Sequence, residues 1–333
     1  MNYYFCKKIH NRMQDFLSIY IFTFNHEQFI EKCIKSILEQ KCTYNYKIYV
    51  FDDCSTDRTV EIVKHLQLES PDKIYLYVNE KNMGVLHSAK EVIQNGKPSK
   101  YISTLDGDDY WCYDQKLQKQ LDFLEVNPEY AGCFHDAEIH QMNLSDDVNY
   151  MMKTQHRWKM YSQFSRYEPD FYPYLLIDRN IIPTASLIYR MTDSVVRFIE
   201  NYNLAPHSFS WAIELEIIKN SKLRYFNECW SVYNDHPGGF SKQSKSSDFK
   251  LNNIRILEAL LSDEWYSYFA PEIYKTICSE FRLMLKSEDM ANLGKHEYYS
   301  LIRKYKKYLK LLCKADVKQL KHDYNVRNRR SVE

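Results

Sequence analysis

The stretch YISTLDGDDYW, residues 101–111, joins an apolar, strand-like run to three aspartates within four positions: Asp106, Asp108 and Asp109. Carboxylates this crowded repel one another and raise each other's pKa unless a cation lies between them. Oxygen ligands favour a hard divalent metal such as Mg²⁺ or Mn²⁺, which usually also binds oxygens of a substrate's phosphates. The stretch therefore predicts either a metal site for a phosphate-bearing ligand at the end of a strand, or a simple acidic turn after an edge strand.

The size and composition of the chain limit the class of protein. Its 333 residues exceed what one hydrophobic core usually holds, which predicts either two domains or one large domain with an appendage. Hydrophobic residues make up 44% and charged residues 27%, as in an ordinary soluble globular protein. The formal net charge of +1 argues against a surface built for nucleic acid, so no nucleic-acid partner is expected.

The cysteines and the N-terminus predict a cytoplasmic location. The nine cysteines form no CxxC pair and are odd in number, which fits reduced thiols better than a disulfide framework or a zinc site. The first 16 residues contain no long apolar segment of the kind found in a secretory signal. No segment approaches the roughly 20 apolar residues needed to span a bilayer.

The hydrophobic pattern alternates strands with helices. We predict strands at 17–24, 46–51, 74–78 and 100–105, and helices at 27–39, 58–68, 85–94 and 115–126. Further strands are predicted at 131–140, 181–190 and 223–233, with a helix over 205–219 and helices from 250 onward. Asn25 is expected to cap the first helix. Such alternation is typical of βαβ units and an α/β fold with a parallel sheet.

Three polar clusters follow three of these strands, namely 23–25, 52–53 and 106–109. In a parallel sheet the carboxyl ends of the strands meet at one edge, which is where ligands bind. We therefore expect the three clusters to form one site.

Five segments then show a resemblance to a known family: FTFNHEQFIEKCIKSILEQ (22–40), YVFDDCSTDRT (49–59), NEKNMGV (79–85), LDGDDYW (105–111) and WSVYNDHPGGFS (230–241). Together, in this order and spacing, they resemble the bacterial family-2 glycosyltransferases of the GT-A fold. The resemblance implies an α/β, Rossmann-like domain with a mostly parallel central sheet flanked by helices.

The same resemblance divides the chain. It implies a GT-A domain over 17–245, with a nucleotide-sugar half at about 17–112 and an acceptor half at about 113–245. A short N-terminal extension, 1–16, precedes the domain, and a helical C-terminal region, 246–333, follows it. No counterpart in the family is assigned to the C-terminal region.

The resemblance implies a set of residues that bind the nucleotide sugar: Thr23, Phe24, Asn25, Asp52, Asp53, Asn82, Gly84 and Asp106. Asp52 and Asp53 would hold the base and the ribose, whose N–H and hydroxyl groups are donors that suit a carboxylate. Asn82 and Gly84 would close the nucleotide side through a tight turn.

The resemblance also implies a divalent metal, Mn²⁺ or Mg²⁺, bound by Asp106, Asp108 and His236. Asp109 is assigned a catalytic role, in binding the sugar or orienting the metal ligands. His236 precedes Pro237 and Gly238, so a surface-turn histidine without a role is an alternative. His26 and His135 lie in no pattern that assigns them a function.

The catalytic base is predicted from the segment around Trp211. Family members generally invert the anomeric centre, which requires a carboxylate to take the proton of the acceptor hydroxyl. Many have an acidic residue directly before the tryptophan that corresponds to Trp211, where this chain has Ser210. Glu214 lies one helical turn further on, and a helix returns residue i+4 to the same face, so Glu214 is the predicted base.

The function expected from these features is metal-dependent, inverting transfer of a sugar from a nucleotide-diphosphate sugar, with UDP as the expected carrier. The acceptor would be a hydroxyl of a glycan or lipid-linked molecule in surface polysaccharide biosynthesis. The alternative, suggested by Ser210, is a catalytically weakened module that only binds the nucleotide sugar. A phosphatase of the haloacid-dehalogenase type is disfavoured, because its acidic motif opens the fold rather than following about 100 residues of βαβ units.

The C-terminal segment is rich in basic residues, among them Arg303, Lys304, Lys306, Lys307, Lys310, Lys314, Lys318 and Lys321. A basic amphipathic helix predicts peripheral contact with an anionic membrane, here the inner face of the cell membrane. The alternative is a solvated helix face that packs back on the domain.

Overall fold

The computed structural model describes residues 16–95, 99–141, 155–157, 169–243, 245–287, 290 and 294–330. The predicted N-terminal extension therefore lies almost entirely outside the described residues.

The described strands are β1 (Leu17–Thr23), β2 (Tyr46–Asp52), β3 (Ile74–Val78), β4 (Tyr101–Asp106), β5 (Tyr110–Trp111), β6 (Tyr130–Gln141), β7 (Gln155–Arg157), β8 (Asp170–Phe171), β9 (Ile188–Arg190) and β10 (Lys222–Asp235). The described α-helices are α1 (Ile30–Leu38), α2 (Thr59–Glu69), α3 (Val85–Asn95), α4 (Lys116–Val126), α5 (Pro173–Asp178), α6 (Asp193–Asn201), α7 (Phe209–Ile218), α8 (Phe240–Gln243), α9 (Ser246–Leu261), α10 (Ala270–Leu285) and α11 (Lys295–Arg330). Two short 3₁₀ helices cover Thr184–Ser186 and Tyr266–Phe269.

Among the described residues, ten strands form one sheet in the order β3-β2-β1-β4-β9-β6-β10-β5, with β7 beside β6 and β8 beside β10. The pairs within β3-β2-β1-β4 are parallel, and so is the pair of β6 with β10. Strand β9 is antiparallel to both β4 and β6 and joins the two parallel groups. The α/β fold class is confirmed, and the parallel arrangement holds for these two groups of strands.

The central strands form because both of their faces are buried. In β1, Leu17, Ile19 and Ile21 have no exposed surface and face the apolar side of α1, while Tyr20, on the other face, is only 4% exposed. A strand covered on both sides reads as a continuous apolar run rather than an alternating one. Helix α1 buries Ile30, Cys33, Ile34 and Ile37, the i, i+3, i+4, i+7 stripe expected of an amphipathic helix.

The sequence made one predicted strand too long and missed several short elements, among them the helix α6. Of the predicted strand at 181–190, only Ile188–Arg190 is extended, because Pro183 lacks a ladder N–H and starts a 3₁₀ turn in which Ser186 N bonds to its carbonyl. Helix α6 was not predicted. The sequence does contain a cap residue for this helix, Thr192, whose hydroxyl accepts a hydrogen bond from Val195 N in the structure.

The described residues fall into two compact units, residues 16–173 with 181–243, and residues 174–180 with 245–330. In the second unit α9, α10 and α11 pack against one another, with Phe281 of α10 stacked on Tyr308 of α11. Glu258 of α9 accepts hydrogen bonds from Lys304 Nζ and the Tyr308 hydroxyl, which fix α11 to α9. The functional division at 112 and 245 remains a prediction.

No helix among the described residues combines the length and the apolar character that a membrane span would need.

Candidate active site

The carboxyl ends of β1, β2 and β4 lie at one edge of the sheet. Thr23 pairs with Asp52 across β1 and β2, and Phe22 pairs with Asp106 across β1 and β4. Two further backbone bonds extend the ladder beyond the strands, from Asp53 N to Thr23 O and from Gly107 N to Phe22 O. The three polar clusters predicted to meet therefore do meet.

Asp53 organises the turn between β3 and α3. Its carboxylate accepts hydrogen bonds from Asn79 Nδ2 at 2.9 Å, Met83 N at 2.7 Å and Gly84 N at 2.7 Å. Gly84 has φ +80°, a left-handed conformation that glycine adopts without strain. Asn82, in the same turn, is exposed to solvent. Asp53 thus holds the segment in which two other predicted nucleotide-binding residues lie.

Asp52 and Asn25 tie the loop after β1 to the loop after β2. Asp52, which has no exposed surface, accepts hydrogen bonds from the backbone N and the hydroxyl of Ser55. Asn25 donates its backbone N–H to the same Ser55 hydroxyl, and its side-chain oxygen accepts from Thr56 N. The expectation that Asn25 caps α1 is wrong: Phe29 occupies the cap position, and Asn25, at φ +56°, bonds across to the neighbouring loop.

Next to them, Thr23 is buried and Phe24 is 40% exposed. Phe24 therefore offers an apolar surface at the same edge as Asp52 and Asp53.

The aspartates of the 101–111 stretch differ in electrostatics. Burial raises the pKa of Asp106 to about 7, and the negative charge of Asp108 adds to the shift. Burial and the charges of Asp108 and Asp106 raise the pKa of Asp109 well above its ordinary range. Burial also acts upward on the pKa of Asp108, but the hydrogen bond to His236 and the nearby histidine charges outweigh it and lower the pKa. Crowding of three carboxylates thus leaves Asp108 as the one that stays ionised most readily.

Asp108 faces two histidines. Its Oδ2 lies 3.0 Å from Nε2 of His236, which directly follows β10, and 3.7 Å from Nε2 of His26, in the loop after β1. One ligand atom from each of the three residues lies within 4.8 Å of the other two. Burial lowers the pKa of His26 more than the Asp108 charge raises it.

Strand β10 is fixed to the aspartates through Asn234. The Asn234 backbone N donates to Asp109 Oδ1 at 3.0 Å, and its side-chain amide donates to the Asp108 carbonyl. The short strand β5 also pairs with β10, with Trp111 opposite Ser231. These contacts bring His236 to Asp108 across 128 positions of sequence.

The sequence did not single out His26 or Asn234. A signal for His26 existed, because it follows β1 at the sheet edge where the other polar clusters were expected. Asn234 gave no signal, since its role depends on a strand pairing that the motif spacing does not show.

Glu214, the predicted base, lies in α7 and is 2% exposed. Burial raises its pKa to about 8, with no contribution from the aspartate charges. Among the described residues, its Oε2 has no hydrogen-bond partner, and no hydrogen bond or ion pair joins it to Asp106, Asp108 or Asp109. The structure therefore unites the predicted metal and nucleotide residues at one edge and leaves Glu214 outside that network.

Comparison with known proteins identifies the class. Residues 18–174 match the family model described as Glycosyl transferase family 2. An uncharacterized protein of Mycobacterium tuberculosis is 25% identical over 223 residues, which cover 67% of this chain and 60% of that protein. The putative teichuronic acid biosynthesis glycosyltransferase TuaG of Bacillus subtilis is 30% identical over 102 residues, 31% of this chain and 39% of that protein.

Solved structures show the same fold. The structure of S. aureus TarS 1-349 in complex with UDP-GlcNAc aligns with a TM-score of 0.64 at 14% identity, over 88% of this chain and 81% of that one. The mannosyltransferase PcManGT from Pyrobaculum calidifontis, in complex with GDP-Man and Mn²⁺, aligns with a TM-score of 0.51 at 12% identity, over 94% of this chain and 90% of that one.

Residues 18–174 therefore form a domain of the glycosyltransferase family 2 type, and the fold is GT-A. The chain matches 60% of the length of the mycobacterial relative.

Proposed function

We propose that this protein transfers a sugar from a nucleotide-diphosphate sugar to a hydroxyl group, with the help of a divalent metal and with inversion at the anomeric carbon. The observation that carries the proposal is the convergence of Asp108, His236 and His26 beside Asp106, at the edge of the sheet where a family-2 domain would bind its donor.

The residues present fit a divalent metal. Asp108 is buried, ionised and aimed at the ring nitrogen of His236, and carboxylate oxygen with imidazole nitrogen is an ordinary donor set for Mn²⁺. Asp108 and His236 would hold the metal, with Asp106 beside them. A bound divalent metal stabilises the negative charge that develops on the departing diphosphate. The solved GT-A structure of PcManGT contains Mn²⁺ together with its nucleotide sugar, which supports this assignment.

The nucleotide would lie along the loops after β1, β2 and β3. Asp52 and Asp53 would face the base and ribose, Thr23, Phe24 and Asn25 would line the pocket, and the 79–84 turn with Asn82 and Gly84 would close it. The exposed Phe24 ring supports this placement, since an aromatic surface packs well against a base. UDP is the proposed carrier, in line with the UDP-GlcNAc in the TarS structure.

For the base we propose Glu214, with Asp109 positioning the sugar. A carboxyl group of pKa about 8 takes a proton well once it is ionised, but it is mostly protonated at pH 7. Transfer should therefore rise with pH between about 6 and 8. The product's anomeric configuration, measured by NMR, tests inversion.

The alternative is a weakened module that binds the nucleotide sugar and transfers it slowly. Glu214 favours this alternative, because no described contact links it to the aspartates, and Ser210 stands where many relatives have an acid. Ser210→Asp discriminates: a large gain in transfer would mean that the native chain lacks a base. An unchanged rate, together with loss of transfer in Glu214→Gln, would support Glu214.

The proposed acceptor is a glycan or a lipid-linked precursor in surface polysaccharide biosynthesis, made at the cytoplasmic face of the membrane. The named function of TuaG supports a polysaccharide role. Exposed cations on α11, including Arg303, Lys307, Lys310 and Lys314, support contact with an anionic surface. Sedimentation with phosphatidylglycerol vesicles, compared with phosphatidylcholine vesicles, tests the contact, and equal binding to both would refute it.

A thermal-shift series tests the donor site. Ligands that bind the folded state raise the melting temperature by mass action, so UDP, GDP, CDP and dTDP are compared with and without Mn²⁺. We expect a shift with UDP that requires the metal. Absence of a shift with every nucleotide, with or without metal, would refute the proposed site.

A further inference from the structure

The donor atoms around Asp108 include one that the sequence did not predict. The aspartates together with His236 predict oxygen ligands and a single imidazole nitrogen. The structure places a second imidazole nitrogen, from His26, 3.7 Å from the same carboxylate. We propose that His26 is a third protein ligand of the metal and that the resulting nitrogen–oxygen–nitrogen set selects Mn²⁺, or a similar transition metal, over Mg²⁺. This inference rests on the proposed metal-dependent function.

The spacing of the three ligand atoms admits a shared ion. His236 Nε2 lies 3.0 Å from Asp108 Oδ2, which a hydrogen bond would explain, but His26 Nε2 lies 3.7 Å from the same oxygen, beyond hydrogen-bond distance. Ligand atoms that share a metal at bond lengths of roughly 2.0–2.2 Å lie about 3–4 Å apart. In the part of the chain that the structure describes, no other three His, Cys, Asp or Glu side chains bring their ligand atoms this close.

The His26 ring is held in place rather than free at the surface. Its side chain is 13% exposed, and its backbone N–H donates to the Thr59 hydroxyl at 2.8 Å. The Phe29 ring lies edge-on to His26 at 6.3 Å and packs on His236 at 4.7 Å between centroids. One aromatic ring therefore positions both imidazoles.

Gly107 allows the close approach of His26 to the aspartates. A Cβ at position 107 would lie 2.9 Å from His26 Nδ1 and 2.7 Å from the Thr23 hydroxyl, closer than real Cβ atoms come. The absence of a side chain between Asp106 and Asp108 thus lets the ring reach Asp108 from the β1 side.

The chemistry of the donors then determines the metal. Mg²⁺ prefers oxygen ligands and near-octahedral geometry, whereas imidazole nitrogen raises the affinity for transition metals in the order Mn²⁺ < Fe²⁺ < Co²⁺. The imidazole of His236 gives a modest preference for Mn²⁺ over Mg²⁺, and the imidazole of His26 increases that preference. The rival interpretation is that His26 only neutralises the charge of Asp108, in which case it contributes no preference between Mn²⁺ and Mg²⁺.

The test measures metal binding in the absence of nucleotide and acceptor. Free Mn²⁺ is followed by electron paramagnetic resonance during titration of the full chain, and Mg²⁺ is then added as a competitor. We compare the native chain with His26→Asn and with the control His65→Asn, in which the replaced histidine is exposed on α2. We expect His26→Asn to lose at least about tenfold in Mn²⁺ affinity while Mg²⁺ affinity changes little, since even indirect partners of a metal contribute 10–100-fold.

A second measurement does not depend on affinity. Pulsed electron paramagnetic resonance detects the nitrogen atoms bound to Mn²⁺, and we expect two imidazoles in the native chain and one in His26→Asn. An unchanged Mn²⁺ affinity, an unchanged Mn²⁺ to Mg²⁺ ratio or a single imidazole in the native chain would overturn the proposal.

Asp108→Asn separates this inference from the proposed function. If Asp108→Asn loses Mn²⁺ and His26→Asn behaves like His65→Asn, the metal site stands and only the role of His26 is wrong. If the native chain binds no Mn²⁺, or Asp108→Asn binds it normally, the metal assignment in the proposed function fails together with this inference. Thermal unfolding of each variant shows whether it remains folded.

Discussion

The sheet edge that carries the aspartates and the helix that carries Glu214 are built in opposite ways. At the edge, nearly every carboxylate has a partner: Asp53 accepts three N–H groups, Asp109 accepts from Asn234, and Asp108 faces two histidines. In α7, Glu214 is as deeply buried as Asp109, but burial is the only cause of its raised pKa. The difference teaches that hydrogen-bond donors and histidines compensate the buried carboxylates of the edge, whereas burial without such partners keeps Glu214 mostly protonated at pH 7.

The largest effect should come from the edge. Asp108→Asn removes the ionised carboxylate between the two histidines, and we expect sugar transfer to fall by about 10²–10³-fold or more, because charge on the leaving group is no longer stabilised. Initial rates at fixed Mn²⁺ measure the loss. Asp114→Asn, in a surface ion pair with Lys41, is the matched control and should transfer normally. Retained activity in Asp108→Asn would show that the edge is not the donor site.

Glu214 gives the next largest effect, on stability. Its pKa is about 8 in the folded chain, whereas the ordinary value for a glutamate, expected in the unfolded chain, is 4.5. The folded state therefore binds this proton more tightly than the unfolded state does. The free energy of unfolding should therefore fall as pH rises from about 4.5 to 8, by at most about 4–5 kcal/mol at 1.36 kcal/mol per pKa unit. Below pH 4.5 this contribution should be constant.

Urea unfolding at several pH values measures this slope, and Glu214→Gln should flatten it. Glu216→Gln, on the same helix, should keep the native slope. Equal slopes in the native chain and in Glu214→Gln would mean that Glu214 ionises freely, and the contrast between helix and edge would then disappear.

A smaller effect is expected from Asp53. Asp53→Asn replaces one of the two acceptor oxygens by a donor, so at least one of the three N–H groups of the 79–84 turn loses its partner. We expect a loss of about 2–3 kcal/mol in the free energy of unfolding and weaker UDP binding. Thermal unfolding measures the loss of stability, and titration calorimetry measures the binding of UDP. Asp72→Asn, at an exposed position, should change neither; an unaffected Asp53→Asn would mean that the turn is held by other contacts.

Gly107→Ala should have the smallest effect. The added methyl group would lie 2.7–2.9 Å from side-chain atoms of Thr23 and His26, so these side chains must shift to admit it. We expect a loss of about 1 kcal/mol in stability and a few-fold weaker Mn²⁺ binding. Chemical unfolding measures the stability and Mn²⁺ titration measures the binding. The comparison is Gly294→Ala, whose added methyl group lies at an ordinary contact distance of 3.5 Å from Glu297 Oε2. Identical behaviour of the two variants would show that the approach at Gly107 is not a constraint.

The alternating strands and helices from β1 to β4 could be predicted from the sequence, because the spacing of apolar residues along each segment indicates its secondary structure. The strands β1 to β4 and the helices between them were predicted within one or two residues, except that α1 begins three residues late. The antiparallel strand β9 was not, since an apolar run does not show its direction and Pro183 shortens it. Helix α6 was missed although Thr192 marks its start.

The sequence by itself determined the resemblance to family 2, the sheet edge and the aspartates that lie there, because motif order and strand ends are local properties of the chain. Only the tertiary structure decided which groups meet: His26 with His236 at Asp108, Asn234 with Asp109, and Glu214 with none of them among the described residues. Such meetings join residues up to 128 positions apart through strand pairing and packing. Sequence spacing does not encode them, because they depend on the register and direction of strands that pair across the whole domain.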